Sequence, residues 1–142
     1  MTTTMDRLLE FGLESLSLGL LSSDRYYKKP IIIFNSASFC GFTNQLFSLQ
    51  QIYESGKAVP IALPMNEFGQ QEPGDDIEIK QYYENKWGVT FPVAKKTDLE
   101  HKLFKRFGKP SWNFNKYLFD VEHKFVKRYE SKIAPEEIIK DV

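Results

Sequence analysis

Apolar positions along this chain come in short runs rather than one long repeat. Ile31-Ile32-Ile33-Phe34 is apolar on both faces, which predicts a buried strand at the centre of a sheet covered by helices. Ala58 to Leu63 predicts a second strand, and Pro60 within it lacks a ladder donor, so that strand belongs at an edge. Upstream, Phe11, Leu13, Leu16, Leu18, Leu20 and Leu21 alternate in part, and Gly12 and Gly19 disfavour a helix. A short hairpin is expected there, after a start over residues 1–10 that is loosely ordered and then apolar. Asp24 to Pro30 reads as a polar connection.

Helical spacing appears elsewhere. Leu46, Phe47, Leu49, Ile52 and Tyr53 share a face between Thr43, read as an N-cap, and the stop at Ser55-Gly56. Ile79, Tyr83 and Trp87 recur every four residues behind a capping-box pair, Asp75 and Glu78, and end at Gly88. Thr97 and Glu100 make a second such pair ahead of Leu99, Leu103, Phe104 and Phe107, with Gly108 and Pro110 as terminators. Thr90 to Lys95 is a short extended piece. Phe114 to Asp120 and Lys124 to Tyr129 predict a hairpin turning at Glu122-His123. Pro135-Glu136-Glu137 opens a last helix expected to run to the C-terminus. This order, β-α-β-α-(β)-α-β-β-α, implies an α/β protein with a central mixed β-sheet flanked by helices, a thioredoxin-like fold.

Composition narrows the picture. A chain of 142 residues suggests one domain, 1–142, able to bury a real core. Lys+Arg and Asp+Glu are equal at 19 each, which gives no reason to expect nucleic acid or a membrane surface as partner. No apolar run approaches bilayer length, and MTTTMDRLLEFGLES lacks the basic start of a secretory signal. The single Cys has no internal partner, so a cytoplasmic setting is expected. One Cys and two His are too few for a zinc site of standard ligand count, so neither metal nor resident cofactor is expected.

That single Cys sits in IIIFNSASFCGFT, where the first strand runs into a small polar turn and then a helical pattern. Helix N-termini stabilise anions, and Gly41 lets the backbone approach a substrate, so Cys40 is a candidate reactive thiol rather than an inert buried one. NEFGQQEPG forms a loop after the second strand, which in parallel α/β units converges on the first strand's C-terminal turn. Gln70 and Gln71 are both amide donors there, and spacing alone does not choose between them. Trp112-Asn113 precedes the Phe114 strand. An indole N–H and a side-chain amide are neutral donors that stabilise a thiolate and a developing alkoxide.

Three segments together resemble the glutathione peroxidase family. NSASFCGFT is similar to its active-site segment, NEFGQQEPG to its second motif and SWNFNKYLFD to its third. GVTFPV and the helix opened by Pro135 extend the likeness over most of the chain. The resemblance implies that Cys40 is the peroxidatic residue and that Gln71, directly before Glu72-Pro73, is the family's glutamine. Trp112 and Asn113 would complete the set. It further implies a peroxide substrate, hydrogen peroxide or an organic or lipid hydroperoxide, and a sulfenic acid intermediate. Glutathione or another low-molecular-weight thiol would then act as reducing co-substrate. Many thiol members carry a resolving Cys where Glu84 stands here, so recycling is expected to depend on an external thiol. Met65, Glu67 and Phe39 also depart from the family's usual residues. Leu99 to Ser111 is too short for the loop through which tetrameric members assemble, so a monomer or weak dimer is expected. Two alternative readings exist. Cys40-Gly41-Phe42-Thr43 also resembles the CGFS of monothiol glutaredoxins, and a thioredoxin-fold binding module with weakened catalysis is the other.

Overall fold

The computed structural model describes residues 7–142. The expected loose start falls partly on residues 1–6, outside the described residues. A short helix α1, Arg7–Phe11, leads into strands β1, Glu14–Ser15, and β2, Gly19–Leu20. The two strands pair antiparallel, as the partial alternation predicts, and Gly19 takes a φ of 71° to turn the chain between them.

The main sheet is built on β3, Ile31–Ser36, with β4, Val59–Pro64, parallel on one side. On the other side β5, Lys116–Phe119, runs antiparallel, followed by β6, Phe125–Tyr129. The order β4-β3-β5-β6 makes a mixed sheet with β3 inside it. Every residue of β3 is buried because helices cover both faces. On one face Ile31, Ile33, Ile61 and Tyr117 pack against Leu8, Phe11, Leu13 and against Leu103 and Phe104 of helix α4, Lys102–Phe107. On the other, Ile32, Phe34 and Leu118 meet Leu46 and Leu49 of α2, Gln45–Glu54, and Ile79 and Tyr83 of α3, Asp76–Trp87. Ile138 of α5, Pro135–Ile139, closes that layer.

Pro60 behaves as the sequence predicts. The outward side of β4 is covered by the extended segment 90–95: Ala62 N donates to Pro92 O at 3.0 Å, and Ala94 N donates to Ala62 O at 2.8 Å. Pro60 lies two residues earlier on that same side, where it has no N–H to leave unpaired. The Asp75–Glu78 capping box also forms in full, and Gly88 ends α3 at φ 68°.

Other local expectations are corrected. Strand β3 continues through Asn35 and Ser36, because Met65 N donates to Ser36 O and Asn35 bonds Phe114 and Asn115 through its backbone. Phe114 adopts φ 65°, a turn conformation, so β5 begins only at Lys116. Thr43 is not an N-cap: α2 starts at Gln45 behind Asn44, whose side chain makes no cap bond. The Thr97–Glu100 capping box does not form. Asp98 Oδ1 instead accepts from Glu100 N, and His101 Nδ1 accepts from Leu103 N at the start of the six-residue α4. Helix α5 stops at Ile139, short of the C-terminus.

Candidate active site

Cys40 lies four residues beyond β3, at the head of a turn that precedes α2. The threonine that does not cap the helix clamps this turn. Thr43 Oγ1 accepts from Cys40 N at 2.9 Å and donates to Ala37 O at 2.8 Å. Cys40 is half-buried, and its sulfur accepts from Phe42 N at 3.4 Å. That backbone amide belongs to the turn ahead of α2, which begins at Gln45. Among the described residues no side chain hydrogen-bonds the sulfur.

The three other candidates come together around the loop after β4. Asn113 is fully buried, and its Nδ2 donates to Gln71 Oε1 at 3.0 Å and to Phe68 O at 3.2 Å. With Oε1 accepting from Asn113, the Gln71 amide is oriented, and its Nε2 is the donor left for another group. Asn113 Oδ1 is buried and has no partner among the described residues. Trp112 is 36% exposed, its ring 5.5 Å from that of Phe68. Gly69 sits beneath it, and a Cβ there would stand 3.2 Å from Trp112 Cη2. The Trp112 carbonyl accepts from Asn35 Nδ2 at 2.8 Å, which ties this turn to the end of β3.

The Cys40 turn and the Gln71 loop are joined by backbone: Phe39 N donates to Gln71 O at 3.1 Å. A buried polar network reinforces the joint. Ser38 Oγ donates to Glu72 Oε1 at 2.5 Å, and the Tyr83 hydroxyl donates to Glu72 Oε2 while lying 2.8 Å from Ser36 Oγ. Burial pushes the Glu72 carboxyl above its ordinary value, opposed by the bonds from Ser38 and Tyr83. Tyr83 is pushed up by burial and by the Glu72 charge. Sequence reasoning missed this network and the Thr43 clamp. Ser38 and Thr43 lie inside the Cys40 segment and Tyr83 on the apolar face of α3, where the pattern reads as packing alone.

Met65 is buried in the first core layer, Glu67 is exposed on the loop, and Phe39 is 61% exposed beside the thiol. Glu84 is exposed on α3 and paired with Lys80 at 2.6 Å.

A mixed thioredoxin-like sheet with a lone thiol at the turn after its central strand, and neutral amides on the adjoining loop, defines a class of thiol-chemistry proteins. Residues 9–107 match the family model described as glutathione peroxidase. The chain is 40% identical over 137 residues to the hydroperoxy fatty acid reductase gpx1 of Synechocystis sp., covering 80% of each. It is 36% identical over 143 residues to the glutathione peroxidase-like peroxiredoxin of Saccharomyces cerevisiae, covering 84% of this chain and 88% of that one. Among solved structures, the apo form of Trgpx superposes with a TM-score of 0.71 at 24% identity, covering 98% of this chain and 94% of the other. The chain belongs to the glutathione peroxidase family and is a thiol peroxidase of thioredoxin-like fold.

Proposed function

We propose that Cys40 is the peroxidatic residue and that Gln71, Trp112 and Asn113 are its neutral donors. The observation that carries this reading is the junction of the two loops. Phe39 N bonds Gln71 O while Asn113 Nδ2 bonds Gln71 Oε1, so the only thiol of the chain adjoins one cluster of oriented amides. The Cys40 thiolate attacks one peroxide oxygen in line. The O–O bond breaks, the sulfur is oxidised to a sulfenic acid, and the other oxygen takes a proton and leaves as water or alcohol. The Gln71 Nε2 and Trp112 indole N–H hold the negative charge that develops on the leaving oxygen.

An external thiol completes the cycle. It attacks the sulfenic acid, releases water and forms a mixed disulfide, which a second thiol reduces. Glutathione or another small thiol fills this role, since Cys40 is the chain's single Cys. The reading needs no resident cofactor or metal, and a reducing cytoplasmic setting and a monomer or weak dimer suit it. Among the described residues no helix is long and apolar enough to cross a membrane. The name of the Synechocystis relative supports organic hydroperoxides as substrates beside hydrogen peroxide.

Peroxide turnover with glutathione and with thioredoxin, for the wild type and Cys40→Ser, tests the proposal. Turnover with glutathione, its loss in Cys40→Ser, and a trapped sulfenic acid after one equivalent of peroxide are expected. An unreactive Cys40 in the folded protein would overturn it. Fast thioredoxin-dependent turnover would contradict the small-thiol step.

A further inference from the structure

A groove of about 370 Å³ opens between α3 and Ser38-Phe39, the two residues that precede Cys40 in its turn. That volume falls in the range of small-molecule sites, about 300–1,000 Å³. Phe39, Pro73, Ile79 and Tyr82 form its apolar walls. Phe39 directly precedes the thiol, is 61% exposed, and has its ring 5.5 Å from that of Tyr82.

The polar groups of the groove are already engaged. The Glu72 carboxylate accepts from Ser38 and Tyr83. Glu78 Oε1 accepts from Asp75 N within the capping box of α3. Two carboxylates, Glu72 and Glu78, stand at its wall, and the nearby Lys96 ammonium is engaged, its Nζ donating to Gly74 O at 3.0 Å. A neutral hydrocarbon group meets these walls without stranding a charge.

We propose that this groove is the subsite for the neutral hydrocarbon group of an organic hydroperoxide, with Phe39 and Tyr82 as specificity-determining residues. The inference rests on the reading of Cys40 as the peroxidatic residue. In the reaction of R–O–OH, Cys40 takes the terminal oxygen, the O–O bond breaks, and R–O takes the proton and leaves as R–OH. The group R lies along Phe39 and Tyr82 throughout. Hydrogen peroxide has no such group and gains nothing from these walls.

The test compares second-order rate constants for oxidation of Cys40 by cumene hydroperoxide and by hydrogen peroxide in wild type, Phe39→Ser and Phe39→Leu. The ratio of the first constant to the second is expected to fall about ten-fold in Phe39→Ser. Phe39→Leu, which keeps an apolar wall, should restore most of it. A ratio that stays level in Phe39→Ser, whether or not both constants drop, overturns the proposal. Binding of the product alcohol, 2-phenylpropan-2-ol, to the wild-type protein is followed in parallel by NMR. Shifts at the Phe39 and Tyr82 rings are expected, and their absence also overturns the groove. A wild type that consumes no peroxide but shows these ring shifts fails the Cys40 reading and leaves the groove standing, which separates the two.

Discussion

Asn113 Nδ2 donates to Gln71 Oε1 across 3.0 Å, joining the turn before β5 to the loop after β4. The bond commits the Gln71 carbonyl and leaves its Nε2 as the free donor; under the proposed role of Gln71, Asn113 sets which end of that amide a peroxide meets. Asn113→Ala is expected to slow oxidation of Cys40 by about 10²–10³-fold, the range for loss of one preorganised donor. Gln71→Ala should do the same, and the double variant should lose far less than the product of the two. Stopped-flow peroxide kinetics measures all three, with urea unfolding to confirm that each variant is folded.

Gly69 has φ +69°, and a Cβ added there would stand 3.2 Å from Trp112 Cη2. Gly69→Ala therefore combines a left-handed backbone with a displaced indole. It should cost roughly 1 kcal/mol or more in urea unfolding. The rate of Cys40 oxidation should fall with it. A rate unchanged beside a loss of stability would show that the seat of Trp112 is not needed for chemistry.

Both Glu72 carboxylate oxygens accept hydrogen bonds in a fully buried setting. Tyr83→Phe removes one donor and should destabilise the protein by about 1–3 kcal/mol. Burial raises the Glu72 pKa above 4.5, so the folded state keeps a proton that the unfolded state has released. Folded protein thus binds more protons in the window just above pH 4.5, and the contribution of Glu72 to stability falls as pH rises through it. Glu72→Gln should flatten that slope in unfolding measured between pH 4 and 7.

Lys116 is wholly buried, and its Nζ donates to the carbonyls of Ser131 at 2.8 Å and Ile133 at 2.6 Å. Burial pushes its pKa down from 10.5 to about 7, against a raising influence from Glu136. Between about pH 7 and 10.5 the unfolded chain holds a proton that the folded one lacks, so stability rises with pH across that window. Lys116→Met should lose the slope. A side-chain NMR titration of Lys116 should show a midpoint near 7.

Several elements are settled by local physics, and those were legible in the chain itself. A run apolar on both faces has to be a covered central strand, a proline in a strand belongs on the outer side of an edge strand of the sheet, and Asp75 with Glu78 caps α3 within three residues. Thr43 and Thr97 show the limit of such reading. Each carries the chemistry of a cap, but Thr43 finds stronger partners in Cys40 N and Ala37 O, and the helix beyond Thr97 begins later, at Lys102. Local propensity proposes a bond, and the surrounding turn decides which one forms. Single residues also stood out as candidates: the lone Cys40, Gln70 or Gln71 of the loop, with the family resemblance favouring Gln71, and Trp112-Asn113 at the head of a strand.

Tertiary structure alone decided how these meet. Gln71 and Asn113 are 42 residues apart in the chain, and only the parallel pairing of β3 with β4 and the antiparallel pairing of β3 with β5 bring their loops to one end of the sheet. The same pairing buries Glu72 against Ser38 and Tyr83, so a residue that reads as a loop acid becomes the bolt between the two loops. Sequence names the groups because their chemistry is carried by side chains. Their distances belong to the sheet order, since hydrogen bonds across strands have no trace in local spacing.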